Sequence, residues 1–365
     1  MTIYHRIDSK ILKLHRDAIV VDGHADTFHA VMSGNDPDVA KRTKKHTHPV
    51  IKSFFQRNKI TSRAQQAITH ADYHRLRQGG TDLQFMAIYT PSSLNGTEAT
   101  AFAFRMLFEI LQGVREGQGK VRLITKSEHL DLMAKERSMG FLIDIEGGNA
   151  LNKDIGMLKV FYSLGARAMG LTHNPRNDLG DGVAVTNPRG LTAFGKQVVR
   201  EINRLNMILD VVHLAKPGFR DLARIATGPI IASHTGIQSR RDIQRNMNDE
   251  QIREICKRKG VIGIMYLPEF IIGGRLSYKE IARQKLICTV GDVVDTIAYV
   301  ADKYGVDYVG LGSDWDGYGG VTLGLEDASY VPNITDGLVK SGFNTAEIKK
   351  ILGGNFIRVI RQVIG

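Results

Sequence analysis

The stretch VVDGHADT, residues 20–27, ends an apolar run with a glycine and then places His24 and Asp26 one residue apart. If the run is a β-strand, alternation puts both side chains on one face, at the end where the strand leaves the sheet. Seven more apolar runs follow, and amphipathic stretches with helical spacing separate most of them. The eight runs cover residues 18–24, 83–90, 140–148, 166–173, 207–213, 229–235, 260–266 and 307–317.

Alternating apolar runs and amphipathic stretches are typical of βα units that form a parallel sheet. Eight such units predict an α/β fold, a (β/α)8 TIM barrel that extends over residues 1–365 as a single domain. A doubly wound sheet stays open, because strand order cannot be read from sequence. Residues 28–82 have weak helical signals and are expected to decorate the first βα connection, and 345–365 are expected to add C-terminal helices.

The composition indicates a globular enzyme, with 42% hydrophobic and 24% charged residues. The first residues carry charges throughout, and no stretch reaches the roughly 18 uncharged apolar residues of a membrane span. Neither a signal peptide nor a membrane partner is therefore expected, and the predicted location is cytoplasmic.

The formal net charge of +11 raises the question of an anionic partner. The basic residues are spread along the chain, although residues 41–59 form a local concentration that includes His46 and His48. We interpret this stretch as a solvated loop or an insertion over the barrel, so no nucleic-acid partner is expected. No apolar strand precedes the two histidines, and we do not assign them to a metal.

Six of the eight runs end in residue types that bind metals. In an α/β barrel the βα loops gather at the C-terminal ends of the strands, so residues from separate strands converge there on one pocket. Each residue alone has a structural interpretation, such as a hydrogen-bonded histidine or an Asp-Gly turn. Together they predict a metal site. The residues are His24 and Asp26, Glu146, His173, His213, His234, and Asp314 with Asp316.

A count of ligands refines this prediction. His24, Asp26, Glu146, His213 and His234 supply three imidazoles and two carboxylates, more than one tetrahedral catalytic zinc needs. Two ions bridged by a carboxylate fit better, and the ligand types suit Zn²⁺, with Mn²⁺, Co²⁺ or Fe²⁺ as substitutes. Two ions about 3.5 to 4 Å apart would deprotonate a water and polarise a carbonyl or phosphoryl oxygen. The predicted reaction is hydrolysis.

Several motifs in register carry a resemblance to a known family. They are DGHADT, GGTDLQFMAIYTP, IEGGNAL, LTHN, DVVH, ASHTG followed by RNMND, and GLGSDWDG, in this order. The combination resembles the membrane (renal) dipeptidase family of zinc peptidases, within the amidohydrolase superfamily, from about residue 18 to the C-terminus. The resemblance implies a (β/α)8 barrel with a dinuclear zinc centre, usually in a homodimer.

The same resemblance implies a division of the metal ligands. His24 and Asp26 would hold one zinc, Glu146 would bridge, and His213 and His234 would hold the other. This division agrees with the ligand count.

The resemblance also implies the remaining roles. His173 would donate a hydrogen bond to the developing oxyanion, where a fixed cation lowers the cost of growing charge. Arg245 would bind the free carboxylate of the substrate, since its guanidinium suits bidentate recognition. Asp314 would take the proton from the attacking water and pass it to the leaving amine.

The chain also departs from the family pattern. Extracellular members carry a cysteine just after the LTH motif, where this chain has Asn174 and Pro175. The insert 34–60 is unusually basic and leaves the shape of the substrate entrance open. Residues 266–268 are expected to shape the side-chain pocket.

The leading hypothesis is a dinuclear zinc dipeptidase that cleaves short peptides with a free C-terminal carboxylate, including some with a C-terminal D-residue. An N-acyl-amino-acid deacylase is an alternative, because its substrate also carries an amide and a carboxylate. A TatD-like phosphodiesterase is another, although such enzymes open with HxH where this chain has HxD. A phosphotriesterase-like lactonase would need a lysine on run four, and a non-catalytic barrel would lack a ligand or Asp314.

Overall fold

The computed structural model describes residues 7–33, 70–276, 280, 284, 286–317 and 322–365. The predicted insert 34–60, which includes the basic stretch 41–59 with His46 and His48, lies outside these residues. None of the helices within the described ranges is long and apolar enough to cross a membrane.

Eight parallel strands close into a barrel, so the (β/α)8 prediction is confirmed and the doubly wound alternative is wrong. The order is β2-β1-β9-β8-β7-β6-β5-β4, and a pairing between β2 and β4 completes the ring. Each of the eight apolar runs forms one of these strands. The strands are β1 (Val21–Ala25), β2 (Leu83–Tyr89), β4 (Met139–Glu146), β5 (Ala166–Gly170), β6 (Ile208–Asp210), β7 (Ile230–Thr235), β8 (Val261–Ile264) and β9 (Val309–Leu311).

A ninth strand, β3 (Val121–Leu123), escaped the sequence analysis because it is only three residues long. It pairs with the first residues of β4, from Met139 to Phe141, whereas β5 pairs with β4 from Ile143 onward. The strand therefore extends the sheet at the N-terminal end of the barrel without joining the ring.

Helices connect the strands and surround the barrel. The amphipathic stretches recognised in the sequence form the long helices α4, α7 and α11, and Asn248 begins α9 with a capping box that includes Gln251. The helices are α1 (Ser9–Arg16), α2 (Thr27–Ser33), α3 (Tyr73–Gln78), α4 (Gly96–Glu116), α5 (Glu128–Glu136), α6 (Ile155–Ser163), α7 (Ala193–Arg204), α8 (Lys216–Ile225), α9 (Asp249–Lys257), α10 (Pro268–Ile271), α11 (Val290–Tyr304), α12 (Pro332–Lys340), α13 (Thr345–Lys349) and α14 (Asn355–Ile364).

The C-terminal helix α14 packs against the N-terminal ends of the strands. Phe356 lies 5.5 Å from Phe85 between ring centroids, and both belong to a buried apolar cluster with Val21, Leu142 and Val261. The chain end therefore closes the end of the barrel opposite the predicted ligands, as expected for residues 345–365.

Glycines allow β7 to lie close to its neighbours. A Cβ on Gly263 of β8, or on Gly312 after β9, would lie 2.0 Å from the carbonyl oxygen of Ser233, and a Cβ on Gly23 would lie 2.4 Å from it. Real Cβ atoms do not approach an oxygen this closely, so the backbone beside His234 holds its position only because these residues lack side chains.

We expect Gly263→Ala to destabilise the fold by about 1–3 kcal/mol, the usual range for overpacking of a rigid core. Urea unfolding would measure the loss. The control is Gly228→Ala, because a Cβ there meets no atom within 4 Å, and its effect should stay within about 0.5 kcal/mol. Equal stability of the two variants would contradict the tight approach of β7.

Candidate metal centre

The structure brings all eight predicted site residues to the C-terminal end of the barrel. Some lie in the strands themselves and the others in the first residues after a strand or in the loop that follows. His24 lies in β1, Asp26 directly after it, Glu146 at the end of β4, His173 after β5, His213 after β6, His234 in β7, Arg245 between β7 and α9, and Asp314 after β9.

One carboxylate oxygen forms the middle of this cluster. Glu146 Oε1 lies 3.1 Å from Nε2 of His213, 3.6 Å from Nε2 of His24 and 3.7 Å from Nε2 of His234. Asp26 approaches from the side of His24, with 3.6 Å between its Oδ2 and His24 Nε2. The five residues assigned as ligands are therefore neighbours, although they come from four separate strands or their loops.

The buried charges of the cluster compensate one another. Burial lowers the pKa of His24, but the carboxylates of Glu146 and Asp26 outweigh this effect and raise it well above its ordinary value. Burial raises the pKa of Glu146, yet the charge of His24 outweighs this effect and holds the pKa well below its usual range. A divalent cation among these groups would replace the proton that His24 otherwise carries.

The other two histidines are neutral. Burial is the main cause that holds the pKa of His213 and of His234 well below the ordinary value, and the nearby Arg245 cation lowers both further. Metals bind neutral imidazole, so both rings have the protonation state that a ligand needs.

Hydrogen bonds to the Nδ1 atoms direct the Nε2 lone pairs into the cluster. Asn174 Oδ1 lies 2.8 Å from His213 Nδ1 and accepts a hydrogen bond from its N–H. Ser233 Oγ lies 2.9 Å from His234 Nδ1; the hydroxyl donates its own proton to Asp210 and therefore accepts the one from Nδ1. Partners of this kind are the usual means of fixing the tautomer of a metal-ligating histidine.

Unsatisfied buried atoms show that the residues fit a metal. Both ring nitrogens of His24 and Oδ1 of Asp26 are buried, and no described residue offers them a hydrogen-bond partner. Such atoms destabilise a folded protein unless something else binds them. Within the described ranges, three sets of side chains have ligand atoms within 4.8 Å of one another, and Glu146 or His24 belongs to each. The sets are His24 with Glu146 and His234, Glu146 with His173 and His213, and His24 with Asp26 and Asp314.

Arg245 and His173 lie beside His213. The Arg245 guanidinium lies 3.2 Å from His213 Nε2 and donates to the backbone oxygen of His234 at 3.1 Å. The His173 ring lies 4.2 Å from the His213 ring and 4.7 Å from Tyr89. Burial lowers the pKa of His173, so a neutral ring faces the cluster and not the fixed cation expected from the sequence.

The two aspartates of the GSDWDG motif have different surroundings. Asp314 faces the ligand cluster, whereas Asp316 accepts a hydrogen bond from Thr27 Oγ1 at 2.7 Å and another from the backbone of His70. Asp314, Asp316 and His213 all have left-handed backbone, with φ of 63°, 69° and 64°. Strain of this kind concentrates at functional sites.

Sequence reasoning missed several residues of the site. Asp22 accepts hydrogen bonds from the backbone of His24, from Gln84 and from Ser313, so it joins β1, β2 and the loop after β9. Asp22 and Asp210 are carboxylates inside apolar runs, a signal that the sequence does contain. Tyr89 ends β2 and could have been recognised by the same rule as the ligands.

Comparison with known proteins gives a family and a fold. The sequence profile described as membrane dipeptidase (peptidase family M19) matches residues 8–364. Dipeptidase tcpJ of Claviceps purpurea is 29% identical over 98% of this chain and 80% of its own, and dipeptidase 3 of Mus musculus is 26% identical over 98% and 67%. The structure of a metallopeptidase from Rhodobacter sphaeroides, liganded with a phosphinate mimic of the dipeptide L-Ala-D-Ala, superposes with a TM-score of 0.81. It is 23% identical and covers 95% of this chain and 100% of that chain.

We expect Asp314→Asn to stabilise the metal-free protein more as the pH rises. Burial raises the pKa of Asp314 to about 8, whereas an unfolded aspartate titrates near about 4. Folding then favours the protonated carboxyl, and its ionisation destabilises the native state as the pH rises from about 4 to about 8. Urea unfolding after chelation, at about pH 5 and about pH 8.5, would measure the difference. If the free energies of unfolding of the wild type and Asp314→Asn differed by the same amount at both pH values, the buried position of this carboxyl would be contradicted.

Removal of the Asn174 acceptor should weaken metal binding. We expect Asn174→Ala to lower the affinity for Zn²⁺ by about 10- to 100-fold, because His213 would lose the partner that fixes its tautomer. Competition with a chromophoric chelator would measure this affinity. Asn174→Asp keeps an acceptor oxygen at this position and should bind Zn²⁺ with the affinity of the wild type. Asn203→Ala, which removes side-chain hydrogen bonds near Ile225, controls for general destabilisation. Wild-type affinity in Asn174→Ala would contradict the assigned tautomer.

Proposed function

The chain belongs to the membrane dipeptidase family (peptidase family M19) and is a metallo-dipeptidase, a hydrolase of peptide bonds, and from this premise we propose that it cleaves dipeptides with two Zn²⁺ ions. The convergence of three Nε2 atoms on Glu146 Oε1 carries this proposal. His24 and Asp26 would hold one ion, His213 and His234 the other, and Glu146 both.

Divalent ions, if held by these five residues, would supply a water of lowered pKa and polarisation of a substrate carbonyl oxygen. We assign the proton transfer to Asp314. Its carboxyl group lies in one cluster with His24 and Asp26, next to the place where the attacking water would bind. A carboxylate in this position can accept a proton from the attacking water and return it to the leaving amine.

His173 is placed to stabilise the charge that develops on the carbonyl oxygen. A neutral imidazole donates one N–H, and the ring lies against His213 at the edge of the cluster. A hydrogen bond aimed at developing charge in a buried site contributes more than the same bond in water.

Arg245 limits the length of the substrate. Its guanidinium lies beside His213, so a carboxylate bound there leaves room for about one residue between itself and the cluster. A dipeptide places its C-terminal carboxylate one residue beyond the scissile carbonyl. Longer peptides would place the carboxylate too far away.

Zinc as the native metal, acceptance of a C-terminal D-residue, the homodimer and the cytoplasmic location stay predictions from the sequence. The L-Ala-D-Ala mimic belongs to the Rhodobacter sphaeroides protein. It supports the inclusion of that dipeptide in a test of this chain. The side-chain pocket expected around residues 266–268 also stays a prediction; Tyr266 itself is buried against Trp315.

The metal content and a panel of substrates, measured together, test the proposed function. The panel is L-Ala-L-Ala, L-Ala-D-Ala, an N-acetyl amino acid and bis-p-nitrophenyl phosphate, with the wild type and Asp314→Asn. We expect two metal ions per chain in both proteins and dipeptide cleavage that Asp314→Asn abolishes, because the proton transfer is lost.

The other outcomes separate the alternatives. Cleavage of the N-acetyl amino acid alone would indicate the deacylase. Cleavage of the phosphodiester alone would indicate the phosphodiesterase and direct attention to the basic stretch 41–59. One ion per chain with full activity would overturn the dinuclear proposal.

A further inference from the structure

A cavity of about 170 Å³ adjoins the candidate metal centre. It lies among the loops that follow β5, β6 and β7, and His213 and Arg245 belong both to its wall and to the cluster. Val183, Pro188 and Met247 give the cavity an apolar lining. The cavity therefore adjoins the place where the proposed function puts the substrate carboxylate.

The volume suits one amino-acid side chain. An apolar cavity of about 150 Å³ is large enough to bind benzene. A space of about 170 Å³ would thus accept a side chain of medium size and would exclude a further peptide residue.

The charge of the cavity is positive. Two of its residues, Lys216 and Arg245, are cations, and no aspartate or glutamate occurs among its lining residues in the described part of the chain. Lys216 Nζ lies 3.4 Å from Gln238 Oε1, a long contact, and no carboxylate oxygen of the described residues is within 4.0 Å of it. The nearby Glu250 already accepts two hydrogen bonds from Arg220, from Nε to Oε1 and from Nη2 to Oε2, each 2.7 Å long.

Helix stability does not account for this lysine. Lys216 is the first residue of α8, a ten-residue helix whose first turn contains no acidic residue and whose N-cap, Ala215, supplies no side-chain acceptor. A cation at the N-terminus of a helix opposes the helix dipole. Both the ammonium and the N-terminal end of the helix dipole therefore favour an anion nearby.

We propose that this cavity receives the side chain of the C-terminal residue of the substrate and that Lys216 selects an acidic one, aspartate or glutamate. The inference rests on the proposed function, because Arg245 must hold the α-carboxylate. When Arg245 binds that carboxylate, the side chain on the adjacent Cα extends past Arg245 into the cavity, because Arg245 lines the cavity as well. Its terminal carboxylate then lies within reach of the flexible Lys216 ammonium.

A pair of substrates that differ only in charge tests the selection. The ratio of kcat/KM for L-Ala-L-Glu to that for L-Ala-L-Gln should be about 10 in the wild type, the range of a charge-assisted hydrogen bond in a half-buried site. The ratio should fall to about 1 in Lys216→Met and below 1 in Lys216→Glu, and Lys216→Arg should preserve it. The same pairs with a C-terminal D-residue show whether the selection depends on configuration.

Two controls make the test specific. Lys135→Met removes one exposed positive charge from α5, at the opposite end of the barrel, and should leave the ratio unchanged. L-Glu-L-Ala and L-Gln-L-Ala carry the same side chains at the N-terminal residue, and we expect no Lys216-dependent difference between them. A difference there would overturn the placement of the C-terminal side chain in the cavity.

A binding measurement separates this inference from the proposed function. The dissociation constants of L-Ala-L-Glu and L-Ala-L-Gln for the metal-loaded Asp314→Asn variant, with and without Lys216→Met, report the cavity without turnover. If the wild type cleaves dipeptides but L-Ala-L-Glu and L-Ala-L-Gln bind equally well, the selection by Lys216 is overturned and the proposed function stays intact. A Lys216-dependent preference in binding, together with no dipeptide cleavage by the metal-loaded wild type, would support the cavity and overturn the proposed function.

Discussion

The carboxylate of Glu146 is the interaction on which the site depends. A buried anion destabilises a protein unless opposite charges or hydrogen-bond donors surround it. The protonated His24 supplies such a charge to Glu146, whereas the neutral His213 and His234 direct Nε2 lone pairs at the same oxygen, an arrangement that favours a cation between these atoms. The barrel makes the arrangement possible because its strands all direct their C-terminal ends to one place. The charge of Glu146 is therefore compensated in part by His24, and a divalent ion among the three Nε2 atoms would complete the compensation.

The fold stabilises an arrangement that is unfavourable locally. His213 and Asp314 have left-handed backbone, and Asp314 resists ionisation. Asp22 and Asp210 are buried as well, and their hydrogen bonds hold the strands that carry His24 and His234. The stability that offsets these costs comes from elsewhere: an extended apolar core and a second cluster under α14.

The charges around the cluster are divided between two sides. Asp26 and Asp314 group with His24, whereas Arg245 lies beside His213 and Lys216 lies beyond it. The charge distribution of the pocket is therefore asymmetric, with an acidic side and a basic side. A substrate with a carboxylate at one end would bind in a single orientation, since like charges repel in the other.

The sequence by itself determined the eight strands of the barrel, the family resemblance and the identity of the residues that meet at the strand ends. These could be read from the sequence because the hydrophobic period and the position of a residue at a strand end are local properties of the chain. Tertiary structure alone decided what each of these residues faces. Asn174 was recognisable as a departure from the family pattern but not as the partner of His213, and the burial that makes His173 neutral comes from residues distant in sequence. Only the tertiary structure shows that Asp316, in the loop after β9, accepts a hydrogen bond from the backbone at residue 70. Only the tertiary structure shows that several glycines lie close to Ser233. Protonation, tautomer and close approach depend on neighbours from other strands, and only closure of the barrel brings those neighbours together.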